Sequence, residues 1–141
     1  RINALLHRAA HGICREQDRR KQLAPGTFIM GQPGTYLPNW TSSDAWSCLT
    51  GNAQGAFFLM RYHELSGLPR FAATAQEIID DLKTVHLLDG VQDPGLRGGL
   101  WGSWPPQGTY CAWTIPNWGV KFFADALLLP SVPPSYAIYL G

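Results

Sequence analysis

Charge is what this sequence has least of. Asp, Glu, Lys and Arg make up 15% of its 141 residues and balance to a net +1. A chain so poor in charge is neither a disordered tail nor a solvated coiled coil. Without a basic excess it has no bulk field with which to hold nucleic acid, so no nucleic-acid partner is expected. Cysteine is scarce as well. Cys14, Cys48 and Cys111 form an odd set with no CxxC pair, which supports neither a disulfide framework nor a zinc knuckle and reads as three buried or idle thiols. No apolar run reaches the roughly 18 residues a membrane span needs. P-loop, GxGxxG and GxSxG signatures are all missing, and no cofactor is implied. The acidic DDxxD-like clusters of terpene chemistry are absent too, and Asp80-Asp81 reads as part of a solvated helix face. The chain starts at Arg1 without a basic-then-apolar leader. It reads as a piece of something longer, its compartment open with the cytoplasm slightly favoured.

What the sequence has is apolar and aromatic. Hydrophobic residues are 45% of the total, six of them Trp, enough for one domain with a real core. Two stretches also repeat. Asn52, Phe57 and Phe58 fall without a gap on Asn117, Phe122 and Phe123, 65 positions later. Each copy follows a loop rich in Gly, Pro and aromatics, and each opens an apolar helix. That is the pattern of stacked helical hairpins, none of which buries its apolar face alone.

Helical spacing of Ile2, Leu5, Leu6, Ala9, Ala10 and Ile13 predicts a first helix over 2–16, with the charged run Arg15 to Lys21 leading out to solvent. A long loop over 24–47 is punctuated by Pro25-Gly26, Gly31, Pro33-Gly34 and Pro38, and its Phe28, Tyr36, Trp40 and Trp46 need a surface to pack on. Asn39-Trp40-Thr41 has the form of a glycosylation sequon, a triplet common by chance. A second helix over 50–66 is capped by Thr50 and striped by Ala53, Ala56, Phe57, Met60 and Leu65, and Gly67 ends it. Pro69 opens a third, with Phe71, Ala72, Ala75, Ile78, Ile79, Leu82 and Val85 on one face. The short turn between these two makes them antiparallel. After a second long loop over 89–115, a fourth helix runs from Asn117 to Leu129, and Pro130, Pro133 and Pro134 stop it. The expected fold is all-α, in one domain over 1–141.

Trp46-Ser47-Cys48-Leu49-Thr50-Gly51-Asn52-Ala53-Gln54, Arg97-Gly98-Gly99, Gly102-Ser103-Trp104-Pro105 and Pro116-Asn117-Trp118 through Leu128 resemble a bacterial group of (α/α)-toroid proteins that accompany polysaccharide loci. These are relatives of the six-hairpin glycosidases, polysaccharide lyases and uronate epimerases. The likeness spans roughly 25–130. It implies helical hairpins forming an arc of a toroid, long loops on one rim, and a polysaccharide or oligosaccharide as partner. The family's toroids carry many more helices than the four read here. The open sides would therefore be covered by remaining helices of a parent protein or by a self-associated copy.

In such toroids the pocket lies where the long loops meet the inner helix ends, which places Asp44, Trp46, Asn52, Arg97, Trp101, Trp104, Tyr110 and Asn117 near it. Trp46, Trp101 and Trp104 would stack on sugar faces, and Asn52 and Lys121 would bind hydroxyls. Arg97 has the fork that suits a uronate carboxylate. Asn52 and Asn117 read equally as helix caps or loop ties, and Gly98-Gly99 as a tight backbone path. Hydrolysis needs two carboxylates across the bond. Asp44 is the best-placed candidate, while Asp89 and Asp93 read as turn residues. A lyase or epimerase needs a base such as Tyr110 or a His, and a carboxylate neutraliser such as Arg97 or Asn117. His7 and His11 are four apart, but a metal needs a third ligand, and no metal is expected. His63 and His86 read as exposed or core-edge residues. Lys121 and Asp125 read as an intrahelical pair, or with Asn117 as a polar stripe facing a cavity. Two alternatives stay open beside the enzyme: a non-catalytic glycan-binding or scaffold module, and an isoprenoid-handling toroid.

Overall fold

A computed structural model describes residues 2–23 and 31–131. Pro25, Gly26, Phe28, Pro133, Pro134 and the side chain of Ile2 lie outside the described residues. Four helices account for most of the described chain: α1 (Ile2–Lys21), α2 (Leu49–Ser66), α3 (Pro69–Val85) and α4 (Asn117–Leu128), with a 3-10 turn over Leu129–Ser131. A two-stranded ladder, β1 (Ser47–Cys48) with β2 (Ser103–Trp104), is the small exception to an all-helical reading. Among the described residues no helix is long and apolar enough to cross a membrane.

The α2–α3 hairpin forms for the reasons the sequence offers. Gly67 takes the left-handed conformation, φ 68°, and its N–H closes on His63 O at 2.8 Å. Pro69 starts α3 where no N–H is needed. Phe71, Ala75, Ile78, Ile79, Leu82 and Val85 are then buried on one stripe, against Leu49, Ala53, Ala56 and Leu59 of α2 and Phe123 and Ala126 of α4. Ala72 on the same helix is only half-buried.

Three expectations need correction. α1 does not end near residue 16; it runs to Lys21, and Glu16, Gln17 and Arg20 are buried rather than solvated. The charges neutralise one another across a helical turn, because Glu16 accepts from Arg19 Nε at 2.8 Å and from Arg20 Nε at 2.9 Å. The cap of α2 is Cys48, whose Sγ accepts from Gly51 N at 3.3 Å; Thr50 lies buried inside the first turn. Leu65 is 79% exposed, one turn beyond the reach of the apolar stripe.

Since α2 and α3 are antiparallel, the loop entering α2 and the loop leaving α3 meet at one end of the molecule. The pairing of Ser47 with Trp104 and of Cys48 with Ser103 ties them together there. A bridge between Leu87 and Gly99 folds the second loop back on itself. Gly98 supplies φ 85° beside that bridge, and a Cβ on Gly99 would come within 2.8 Å of Leu96 O.

Candidate functional site

At the loop end the ladder gathers some of the anticipated site residues, Trp46 and Trp104 among them. Trp46 packs where a Cβ on Gly34 would overlap its ring, and Gly34 N donates to Trp46 O at 3.0 Å. Ser103 Oγ donates to Tyr110 O at 2.6 Å, and Trp118 Nε1 donates to Tyr110 Oη at 2.8 Å. Trp101 and Trp104 are partly buried against the core. Arg97 and Asn117 are exposed, Arg97 in the turn that follows Asp93 and Asn117 at the start of α4. Lys121 Nζ stands 2.5 Å from Asp125 Oδ2.

Several polar groups of this rim are occupied by the fold. Asp44 Oδ2 accepts from Thr35 N and Thr35 Oγ1, both at 2.7 Å. Asp93 Oδ1 accepts from Gly95 N at 2.8 Å in a turn. Asn52 is buried and fully used: Oδ1 accepts from Gln32 N at 2.6 Å, while Nδ2 donates to Gln32 O at 3.0 Å and Cys48 O at 2.7 Å. It splices the 31–47 loop onto the first turn of α2. His63 and His86 sit at backbone carbonyls, of Leu68 at 2.9 Å and Gly98 at 3.0 Å.

Beneath that loop runs a buried polar chain. Gln32 Nε2 donates to Gln17 Oε1 at 2.6 Å, Gln17 Nε2 donates to Asp81 Oδ2 at 3.2 Å, and Tyr36 Oη donates to Gln32 Oε1. Burial pushes the Asp81 carboxyl above its ordinary range. Burial opposes ionisation of Glu16 also, but hydrogen bonds from Arg19 and Arg20 outweigh it and hold that carboxyl low. A cavity of about 350 Å³ borders this chain, lined by Gln17, Arg20, Lys21, Glu77, Asp80 and Asp81. Its remaining carboxylates are paired, Glu77 with Lys21 at 2.5 Å and Asp80 with Lys83 at 2.8 Å.

A second cavity, about 720 Å³, differs in kind. It lies between α1 and the turn over 37–41, lined by Leu5, His7, Arg8, His11, Arg15, Pro38, Asn39 and Trp40, with no carboxylate among them. Its size is within the roughly 300–1,000 Å³ of small-ligand sites. His7, His11 and Arg15 recur every fourth residue and so share one face of α1. Across from them, Trp40 holds φ 64°, an uncommon conformation for a bulky residue. Bonds from Leu37 N to Thr41 O (2.8 Å), from Trp40 N to Leu37 O (2.9 Å) and from Thr41 Oγ1 to Asn39 Oδ1 (2.7 Å) hold it there. The indole packs directly on Gly12, where any Cβ would overlap it, and tilts against Tyr36 with ring centroids 5.4 Å apart. His7 Nδ1 is 3.0 Å from Tyr62 Oη, and its ring lies 4.3 Å from that of His11. Burial, reinforced by His7, Arg70 and Arg15, lowers the pKa of His11 below its usual value and so favours the neutral imidazole.

Arg8, Arg15 and the exposed Arg97 have no acidic partner among the described residues, whereas Arg19, Arg20, Arg61, Arg70, Lys21, Lys83 and Lys121 all do, and of the three only Arg8 and Arg15 share a cavity. This groove was not legible as a site. The four-residue spacing of His7, His11 and Arg15 could have found its helix face, but nothing in the sequence places Trp40 above Gly12. Comparisons with protein-family models, with curated proteins and with solved structures gave no match.

Proposed function

We propose that the chain binds an acidic, uronate-containing polysaccharide in the groove between α1 and the 37–41 turn, as one arc of an (α/α) toroid of bacterial polysaccharide metabolism. One observation carries the reading: two unpaired guanidinium groups, Arg8 and Arg15, line a groove that holds an indole and no carboxylate. Guanidinium forks match carboxylates spaced along a polyuronate, and the Trp40 face suits the apolar side of a sugar ring. The toroid half of the proposal draws support from the short α2–α3 turn at one end and the two long loops joined at the other.

Isothermal titration with a uronate oligosaccharide and with a neutral glucan of equal length tests it. Only the acidic ligand binds, and Trp40→Ala weakens it about tenfold, or about 1.4 kcal/mol. Equal binding of both ligands, or an unaltered Trp40→Ala variant, refutes it.

One observation favours a second reading, in which the groove also performs elimination or epimerisation. His11 shares the groove with Arg8 and Arg15, and its pKa is shifted toward the neutral form, the arrangement that proton abstraction next to a carboxylate requires. Hydrolysis is less favoured, since the Asp44 carboxylate is engaged by Thr35 N and Thr35 Oγ1. Absorbance of unsaturated uronate, rising with the chain and absent with His11→Ala, would establish elimination; binding without product leaves the non-catalytic reading.

A further inference from the structure

The groove between α1 and the 37–41 turn sets two imidazoles among guanidinium groups. The rings of His7 and His11 lie 4.3 Å apart, and Arg8 and Arg15 line the same cavity, which has no carboxylate in its wall. The other elements around His11 bring it no free negative charge. From α2, Tyr62 Oη stands 3.0 Å from His7 Nδ1. From α3, the ring of Phe71 meets that of His11 at 5.2 Å, and Arg70 adds a further cation. Asp18, two turns along α1 from His11, is joined to that Arg70 at 2.6 Å. Pro38, Asn39 and Trp40 of the turn carry no charge. In these surroundings a proton on either imidazole is opposed by the other and by the arginines. A carboxylate laid in the groove reverses the balance, because it offsets the guanidinium charge and gives the imidazolium an opposite partner.

We propose that the groove takes up a proton at His11 together with its anionic ligand, so that a uronate glycan is held more tightly in mildly acidic solution than at neutral pH. The inference rests on the glycan reading and adds a regulation to it. In the free chain, burial and then His7, Arg70 and Arg15 lower the pKa of His11; the bound carboxylate raises it. Between the free and the bound value the complex holds a proton that the free chain does not. Affinity therefore increases as pH falls across that interval and is level on either side of it. Ligand and proton each strengthen the other by the same factor. Uronate carboxyls, with the ordinary carboxylate pKa of about 4, keep their charge throughout. A His11 that carries the proton is no base, so this device belongs to binding rather than to elimination.

Isothermal titration of a uronate oligosaccharide into the full chain, in paired buffers of different ionisation enthalpy, tests it. Affinity is expected to rise about fivefold between about pH 8 and about pH 5.5. The dependence of the heat on the buffer reports the proton taken up. His11→Gln, with no group to titrate there, loses both the pH dependence and the uptake. In the wild-type chain the His11 imidazole resonance, followed by NMR, titrates at higher pH with the oligosaccharide than without it. An unmoved His11 titration overturns the proposal whatever the variant does. Equal affinity at both pH values, or a rise that His11→Gln retains, also overturns it and leaves the glycan reading standing. Absence of binding at every pH overturns both.

Discussion

Glu16 is 2% exposed and shares its charge with two guanidinium groups. Replacing it with Gln strands Arg20 in the interior, and the expected loss is about 3 kcal/mol by denaturant titration. Its folded pKa is lowered. The stability it contributes is therefore present above the unfolded-state pKa and disappears as pH falls through the folded value. Glu16→Gln should remove that part of the acid sensitivity. Asp81 behaves with the opposite sign. Its raised pKa makes the ionised form a liability once pH rises past the ordinary carboxylate range. Asp81→Asn should stabilise at neutral pH and confer nothing in acid; a loss at neutral pH would mean the charge is needed. The two repeat asparagines separate as sharply. Asn52→Ala leaves the amide of Gln32 and two carbonyls without their partner, for about 3 kcal/mol, while exposed Asn117→Ala stays within about 0.5 kcal/mol. From sequence alone both read as cap or site residue, because an Asn does not reveal which backbone groups a distant loop will bring to it.

Elements were legible where local chemistry decides them. The hairpin of α2 and α3 follows from Gly67, Pro69 and an apolar stripe of regular spacing, and all were visible in the sequence. α1 was read too short because a run of seven mostly charged or polar residues looks solvated until Glu16 is seen to pair with Arg19 and Arg20 within the same helix. The Trp40 turn was not legible at all. Its positive φ and its seat on Gly12 depend on α1 lying beneath the loop. The seat makes a prediction at this scale. Gly12→Ala should lift the indole, destabilise the chain by about 1–3 kcal/mol through overpacking, and weaken acidic glycan binding as Trp40→Ala does. Full binding by Gly12→Ala would show that the indole's position is irrelevant to the ligand.

For the whole molecule, helical class and hairpin order came through from periodicity, while several polar residues of the anticipated rim are engaged by the fold itself. Arg97 and Asn117 are exposed, and Asp44 and Asn52 are consumed in fastening the loops. Two cations without an acidic partner share a groove instead on α1, a helix whose contribution the sequence assigned to packing and to solvent. With a net charge of +1 overall, the groove is a local concentration of positive charge that composition cannot reveal. The role proposed for this concentration is recognition of an acidic glycan. Calorimetric titration of a polyuronate into the wild-type chain and into the Arg8→Gln/Arg15→Gln variant, at low and high salt, tests it most directly. The account predicts binding that weakens with salt and falls about a hundredfold, or about 2.7 kcal/mol, in the double variant. Salt-independent binding that the double variant retains would contradict it.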